Sequence, residues 1–513
     1  MVPAQLAGVE SVLSGPGVQR AMDLRKVRRD AEVFVRAVSK EFYENWSGLK
    51  AEMDTASIYA RHADLFAPAL LDDLRARRAK ADGDEARRLR LLQSSLTEEA
   101  LQHAVTTYSD RRATEEATRQ VQVDGISIPY RLAAVTQQNE DDRARRGRIF
   151  RARMEVVREL NGILVDRWNV LHKFAMGLGY DHYAHLFADV KGIDFSHLQA
   201  ILERFLAQTD ALYVESMNRI LKPQGLTVDA AEAHDVNYAF RGKGFDAHFR
   251  KEEAVPVLRR TLKGLGFDLD RQPNIRLDVE ERPSKSPRAF CSTLAVPDDI
   301  VLVLMPHGGH DDFSTILHEA GHAEHFGNTA KKLPFEYRYL GDNSVTEGWA
   351  FVLEYITLDP AWLRAHVGLE DASAFLDFTY TYKLFFLRRY AAKLNYELQL
   401  HTKGVEGMDA RYSAELGKVL KFRVPPEQYL VDVDDGFYAA QYLRAWIFDA
   451  QIRSALREEH GDAWWSTTEA GAFLKRQWST GQKYGVDEIL EGVGYAGLDL
   501  DPFVEELEFR LAP

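Results

Sequence analysis

The segment His318-Glu319-Ala320-Gly321-His322 constrains this chain more than any other. On an α-helix, residues four apart stand one above the other on the same face, so His318 and His322 can turn ring nitrogens toward one point. Glu319 follows round the same helix and brings a carboxylate beside that point without being one of the donors. Two imidazoles and an adjacent carboxylate suit a metal site with a general base, so the segment calls for a helix and for a second element that completes the set. Asp311 to Leu317 reads as the opening of that helix, acidic residues first and apolar ones at a helical period, and Gly327 reads as its stop. Chance spacing on a solvated helix is the bland alternative, and this flanking pattern weighs against it. His325 is expected on the same face, three beyond His322. A metzincin would need glycine at 325 and a third histidine at 328, where this chain has His325 and Asn328, so a third ligand must come from elsewhere.

Glu347 is the leading candidate. Gly341 to Ser344 has turn chemistry, and the apolar periodicity from Val345 to Ile356 predicts a second helix that Asp359-Pro360 stops. A glutamate in its first turn could meet both histidines of the preceding helix. The same residue also fits a capping box, Ser344-x-x-Glu347, in which it would only satisfy a free backbone amide. Glu354, seven residues on, is the reserve ligand.

The run His318-Glu319-Ala320-Gly321-His322-Ala323-Glu324-His325 resembles the HExGHxxH signature of the thimet oligopeptidase and oligopeptidase F family of gluzincins. Leu160 to Arg167 with Leu178 to Leu186, and Gly436-Phe437-Tyr438-Ala439-Ala440-Gln441-Tyr442, resemble further segments of that family. The carboxypeptidase Taq and angiotensin-converting-enzyme groups share the scaffold. The resemblance implies Zn2+ held by His318, His322 and Glu347, with Glu319 as general base and Tyr438 or Tyr442 steadying the oxyanion. It implies a mainly α, two-lobed helical zincin with a deep central channel and a small β-hairpin beside the metal. Both tyrosines could instead be core aromatics among Phe437, Trp446 and Phe448. Two positions depart from the family pattern, Val433 for a histidine and Ala445 for a tyrosine, so the oxyanion donor or the substrate scope is expected to differ.

The clearest β signal lies just ahead of the metal helix. Ala289 to Ala295 and Ile300 to Met305 are short apolar runs around Val296-Pro297-Asp298-Asp299, with proline in a favoured turn place. A hairpin there could grip an extended peptide by its main chain, or be purely structural. His307 and His310 read as loop residues or substrate contacts. Leu221 to Asp246 reads as a loop-rich stretch that shapes the channel.

At 513 residues the chain exceeds one ordinary core, so an N-terminal helical lobe over 1–195 and a catalytic lobe over 196–513 are expected, with Gly192 to Phe195 at the boundary. A net charge of -13 argues against nucleic acid as a partner. The basic runs Leu74 to Lys80 and Arg87 to Leu92 read as solvated faces of two helices joined by a tight turn. Val121 to Tyr130 reads as a short extended segment. No run has the length of a membrane span, and the first ten residues lack a secretory pattern. Cys291 is the only cysteine, which excludes a disulfide within the chain and suits the cytoplasm.

These readings converge on a zinc peptidase for short peptides, with no membrane association, an oligomeric state the sequence leaves open, and no cofactor beyond the metal. Two alternatives belong to other classes: a zinc hydrolase or tailoring enzyme acting on a modified peptide or small amide, and a non-catalytic binding protein on the same scaffold.

Overall fold

In the computed structural model, which describes residues 23–512, helices account for most of the chain and two small sheets for the rest of its regular structure. The elements that matter for the site are eight helices: α1 (Leu24–Trp46), α2 (Pro68–Arg78), α3 (Gly83–Ala104), α4 (Arg143–Gly177), α5 (His310–Gly327), α6 (Asn343–Glu354), α7 (Ser373–Lys403) and α8 (Tyr438–His460). None of the described helices is long and apolar enough to cross a membrane. One buried apolar cluster runs from Val27 to Leu511 and draws on both sides of residue 195, while a smaller one gathers Val121 to Ile163. Gly192 closes a helix in the left-handed region and the Asp194 side chain caps the next one, which makes this segment a helix-to-helix corner.

The first sheet is a hairpin of β1 (Gln120–Val123) and β2 (Ile126–Pro129), so the expected single extended segment folds back on itself. Asp124 and Gly125, both at positive φ, make the two-residue turn. The second sheet has the order β3-β5-β4, with β3 (Ile275–Asp278) parallel to β5 (Asp299–Val303) and β4 (Phe290–Ala295) antiparallel to β5. The expected hairpin is therefore two strands of a three-stranded sheet, with β4 at the edge. The Val296-Pro297 peptide joining β4 to β5 is cis, unlike the turn read from the sequence.

Two glycines let three helices stack closely. A Cβ on Gly321 of α5 would lie 2.5 Å from Ala350 Cα and 2.9 Å from the Trp349 carbonyl oxygen, both on α6. One on Gly348 of α6 would lie 2.4 Å from the Phe448 ring of α8. Distances this short leave no room for a methyl group, so Gly321 brings α5 and α6 to backbone contact and Gly348 seats the Phe448 ring of α8 against the α6 backbone. The basic runs of α2 and α3 are not solvated faces. Arg78 pairs with Asp189, Arg87 with Glu488 at 2.6 Å and Arg88 with the fully buried Glu336 at 3.2 Å, while Arg90 donates to the Lys191 carbonyl at 2.8 Å. Their partners lie far away in sequence, so a local charge pattern could not reveal them.

Candidate active site

Helix α5 begins at His310, and its acidic first turn, Asp311 and Asp312, faces the positive end of the helix dipole. The same helix presents His318 and His322 to the facing turn of α6. Donor atoms of His318, His322 and Glu347 lie within 4.8 Å of one another, the one set of three potential ligands among the described residues. Glu347 Oε2 is 3.2 Å from His318 Nε2 and 3.7 Å from His322 Nε2. Those spacings bracket the ~3.3 Å that separates tetrahedral ligands bound about 2.0 to 2.1 Å from a zinc ion.

The opposite edges of both rings are occupied. His318 Nδ1 meets Glu354 Oε2 at 2.8 Å, and Ser314 donates to the other Glu354 oxygen at 3.1 Å. His322 Nδ1 meets the Thr346 hydroxyl at 2.8 Å. Each Nε2 is thereby turned inward, the arrangement in which outer partners fix a ligand's tautomer and orientation. Glu347 Oε1 accepts from the Tyr438 hydroxyl at 2.7 Å, whereas its buried Oε2 has no hydrogen-bond partner. A buried carboxylate oxygen without a donor is costly unless a cation meets it, so these residues fit a metal ion. Asp342 caps α6 through the Ser344 amide at 2.9 Å, and Glu347 lies beyond that cap. Glu354, the reserve ligand in the sequence reading, stands behind His318 instead of beside the convergence point.

Electrostatics separates the two carboxylates. Burial raises the Glu347 carboxyl, but His322, His318 and the Tyr438 phenol outweigh it and hold the group at about 2. Burial pushes Glu319 up to about 7, helped by Glu347 and opposed by His318, by the Cys291 amide and by Arg288. The two histidines also differ. Burial takes His322 down to about 4, whereas for His318 the adjacent carboxylates of Glu347 and Glu354 overcome burial and raise it well above the usual value.

The Cys291 amide lowers the Glu319 carboxyl, which places the edge strand β4 beside the site. Farther along β4, Ser39 of α1 donates to the Thr293 carbonyl at 3.1 Å and Arg36 to that of Leu294 at 3.2 Å. Helix α1 thus occupies the C-terminal part of the edge, leaving only the stretch around Cys291 for main-chain pairing. A cavity lined by Arg288, Thr315 and Glu319 lies beside that stretch.

Tyr438 and Tyr442 share one face of α8, ring centroids 4.7 Å apart. Burial raises both phenols, and the Glu347 charge adds to this, so both remain protonated donors. Tyr442 also packs on Phe351 and Trp446, so it is at once a site neighbour and a packing residue. Ala445 is fully buried and Val433 packs against the core.

Three histidines in the sequence reading lie elsewhere. His325 turns away from the donor set into the core, where its Nε2 meets the Gly481 carbonyl at 3.2 Å. The expectation that His325 would share the site's face is therefore not met: its ring is buried and engaged by a backbone carbonyl distant in sequence. His310 pairs with Asp311 at 3.0 Å, and the His307 amide donates to Asp312 in the loop. Residues 221–246 include a short helix, Ala233–Ala239, and Gly242 abuts both Phe378 and His310. Thr346 escaped the sequence reading, although its place immediately before Glu347 was a usable signal.

No protein-family model matches the chain, and no curated protein matches it in sequence. Among solved structures, one named "Crystal structure of a putative oligoendopeptidase F from Bacillus anthracis str. Ames" is similar with a TM-score of 0.57 and 15% identity. The match covers 92% of this chain and 84% of that one. The likeness is one of fold, and at that level the chain has the helical architecture of an oligopeptidase.

Proposed function

We propose that the chain is a zinc peptidase that hydrolyses peptide bonds in short peptides. The observation that carries this reading is the placement of Glu319, a carboxylate outside the three-donor set but on the same helix and lining a cavity beside the edge strand. Zinc held by His318, His322 and Glu347 would supply the Lewis acidity that polarises a peptide carbonyl and eases deprotonation of a water molecule.

The protein's own groups account for the rest. Glu319, whose proton affinity lies near neutrality, takes a proton from the attacking water and delivers it to the leaving amine nitrogen. Main-chain pairing near Cys291 would hold an extended peptide in register with Glu319. Tyr438 or Tyr442 donates to the carbonyl oxygen as negative charge develops on it. Tyr438 can leave Glu347 for this purpose only if the carboxylate gains another partner, which metal ligation provides.

The test is digestion of a peptide library, with free and blocked ends, by protein purified with zinc and by protein stripped of it. Zinc-dependent cleavage of short peptides is expected, abolished by Glu319→Gln. Inertness of the zinc-loaded protein toward every peptide would reject the reading.

A further inference from the structure

A cavity of about 210 Å³ adjoins the candidate catalytic centre on the His318 side. Glu354, which meets His318 Nδ1, and Ser314, which donates to Glu354, line it. So does Phe351, whose ring packs edge-on against His318 at 5.1 Å. Any group seated in the cavity therefore lies one side chain away from the residues proposed to act on the peptide bond.

The walls are mostly aromatic and already fixed. Phe351 packs against both Tyr355 and Trp446, at centroid distances of 5.5 and 5.4 Å with nearly parallel planes. Trp446 Nε1 donates to the Tyr355 hydroxyl at 2.8 Å, which ties those two side chains together. Helix α7 supplies the opposite wall from Phe375, Thr379, Tyr382 and Phe386, a four-three-four spacing that puts them on one face. Lys383 also lines the cavity; its buried Nζ lies 3.4 Å from the Tyr355 ring centroid and is paired with the buried Asp449 at 3.5 Å. The acidic groups at the rim are engaged: both Glu354 oxygens are bonded, and Asp311 is paired with His310. This leaves an apolar, ring-lined space with no free charge to select an ionic ligand. A cavity of about 150 Å³ accommodates a benzene molecule, so this one has room for an aromatic side chain. Rings on several sides suit another ring in edge-on or offset contact.

We propose that this cavity is a subsite for an aromatic side chain carried by a substrate residue flanking the bond that is cut. The inference rests on the peptidase reading for the identity of the substrate, and on the cavity alone for the chemistry of the group bound. Pockets of this kind discriminate by about 10- to 200-fold per methylene, so phenylalanine should exceed alanine by at least about 100-fold in kcat/KM at one flanking position.

Thr379 provides the test, because its hydroxyl bonds only to carbonyls of its own helix, at Phe375 and Leu376, and it touches no proposed catalytic group. Thr379→Trp fills the cavity, and Thr379→Leu fills it partly should the larger residue prevent folding. Two readouts are taken: kcat/KM of the zinc-loaded proteins on peptides with Ala, Leu or Phe at each flanking position, and binding of N-acetylphenylalaninamide against N-acetylalaninamide to each protein. The wild type should prefer phenylalanine at one position and bind the phenylalanine amide. Filling should lower that preference to under about 5-fold and abolish amide binding. A wild type without aromatic preference at either position, or a preference that survives in both folded variants, overturns the subsite. If no peptide is cut yet the phenylalanine amide binds the wild type and not the filled variants, the subsite stands and the peptidase reading falls. Absence of both cleavage and amide binding overturns both.

Discussion

Glu354 holds His318 from behind: its carboxylate meets Nδ1 at 2.8 Å while the Nε2 of the same ring points at Glu347, 3.2 Å away. The two glutamates lie on one face of α6 and do different work, one towards the donor cluster and one towards the ring that contributes to it. Glu354→Ala should lower zinc affinity by roughly 10- to 100-fold, with one ion still bound at saturation. Competition against a chelator of known affinity measures this, and an unchanged affinity would remove Glu354 from the site's support.

Tyr438 is bonded to Glu347, so its removal should act in two separable ways. Tyr438→Phe is expected to weaken zinc binding about 10-fold by loosening Glu347, and to lower kcat roughly 10²- to 10³-fold at saturating zinc with little change in KM. Tyr442→Phe should leave zinc affinity intact. Full kcat at saturating zinc in both variants would mean that the oxyanion donor is neither tyrosine.

Close approach of α5 to α6 depends on Gly321, where a Cβ would fall 2.5 Å from Ala350 Cα. Backbone cannot step aside as a flexible side chain can, so Gly321→Ala should force the helices apart and cost about 1 to 3 kcal/mol of stability. Zinc affinity should fall with it, because His318 and Glu347 sit on opposite sides of that contact. Denaturant unfolding and zinc titration of the variant check both, and wild-type values would show that the interface yields easily.

The buried Glu397 gives the fold a dependence on pH outside the metal site. Its Oε1 accepts from the Asp434 amide at 3.0 Å, and burial pushes the carboxyl from 4.5 up to about 8, against the pull of Lys393. The folded chain therefore keeps a proton that the unfolded chain releases. Stability from this group is complete below about pH 4.5 and is lost as pH rises toward and through 8. Glu397→Gln retains an acceptor and cannot ionise, so its melting temperature should rise relative to the wild type between pH 5 and pH 8, as followed by calorimetry. A constant difference across that range would contradict the assignment.

Local pattern carried much of this architecture. The helix bearing His318 and His322, the following helix with Glu347, and the strands around Cys291 and Ile300 each announce themselves within about 15 residues by periodicity and stop signals. Their meeting at one point also followed from donor chemistry. What remained hidden depends on partners distant in the chain. Strand β3 is four residues long and is defined by pairing with β5, so its own residues show no distinctive alternation. Arg78, Arg87 and Arg88 look like a solvated stripe until Asp189, Glu488 and Glu336 are brought to them. Glu354 carried a usable signal, being on the face of Glu347, but sequence could not tell a ligand from the residue that braces one. The cavity wall on α7 was hidden because buried apolar residues surround that helix on several faces, leaving no single stripe to read.

The central claim is that His318, His322 and Glu347 bind zinc and that Glu319 does chemistry beside it. Metal content and peptidase activity of four purified variants test it together. His318→Ala, His322→Ala and Glu347→Ala should each lose bound zinc and activity, whereas Glu319→Gln should retain one zinc per chain and lose activity. Full zinc occupancy in Glu347→Ala, or undiminished turnover in Glu319→Gln, would contradict the account.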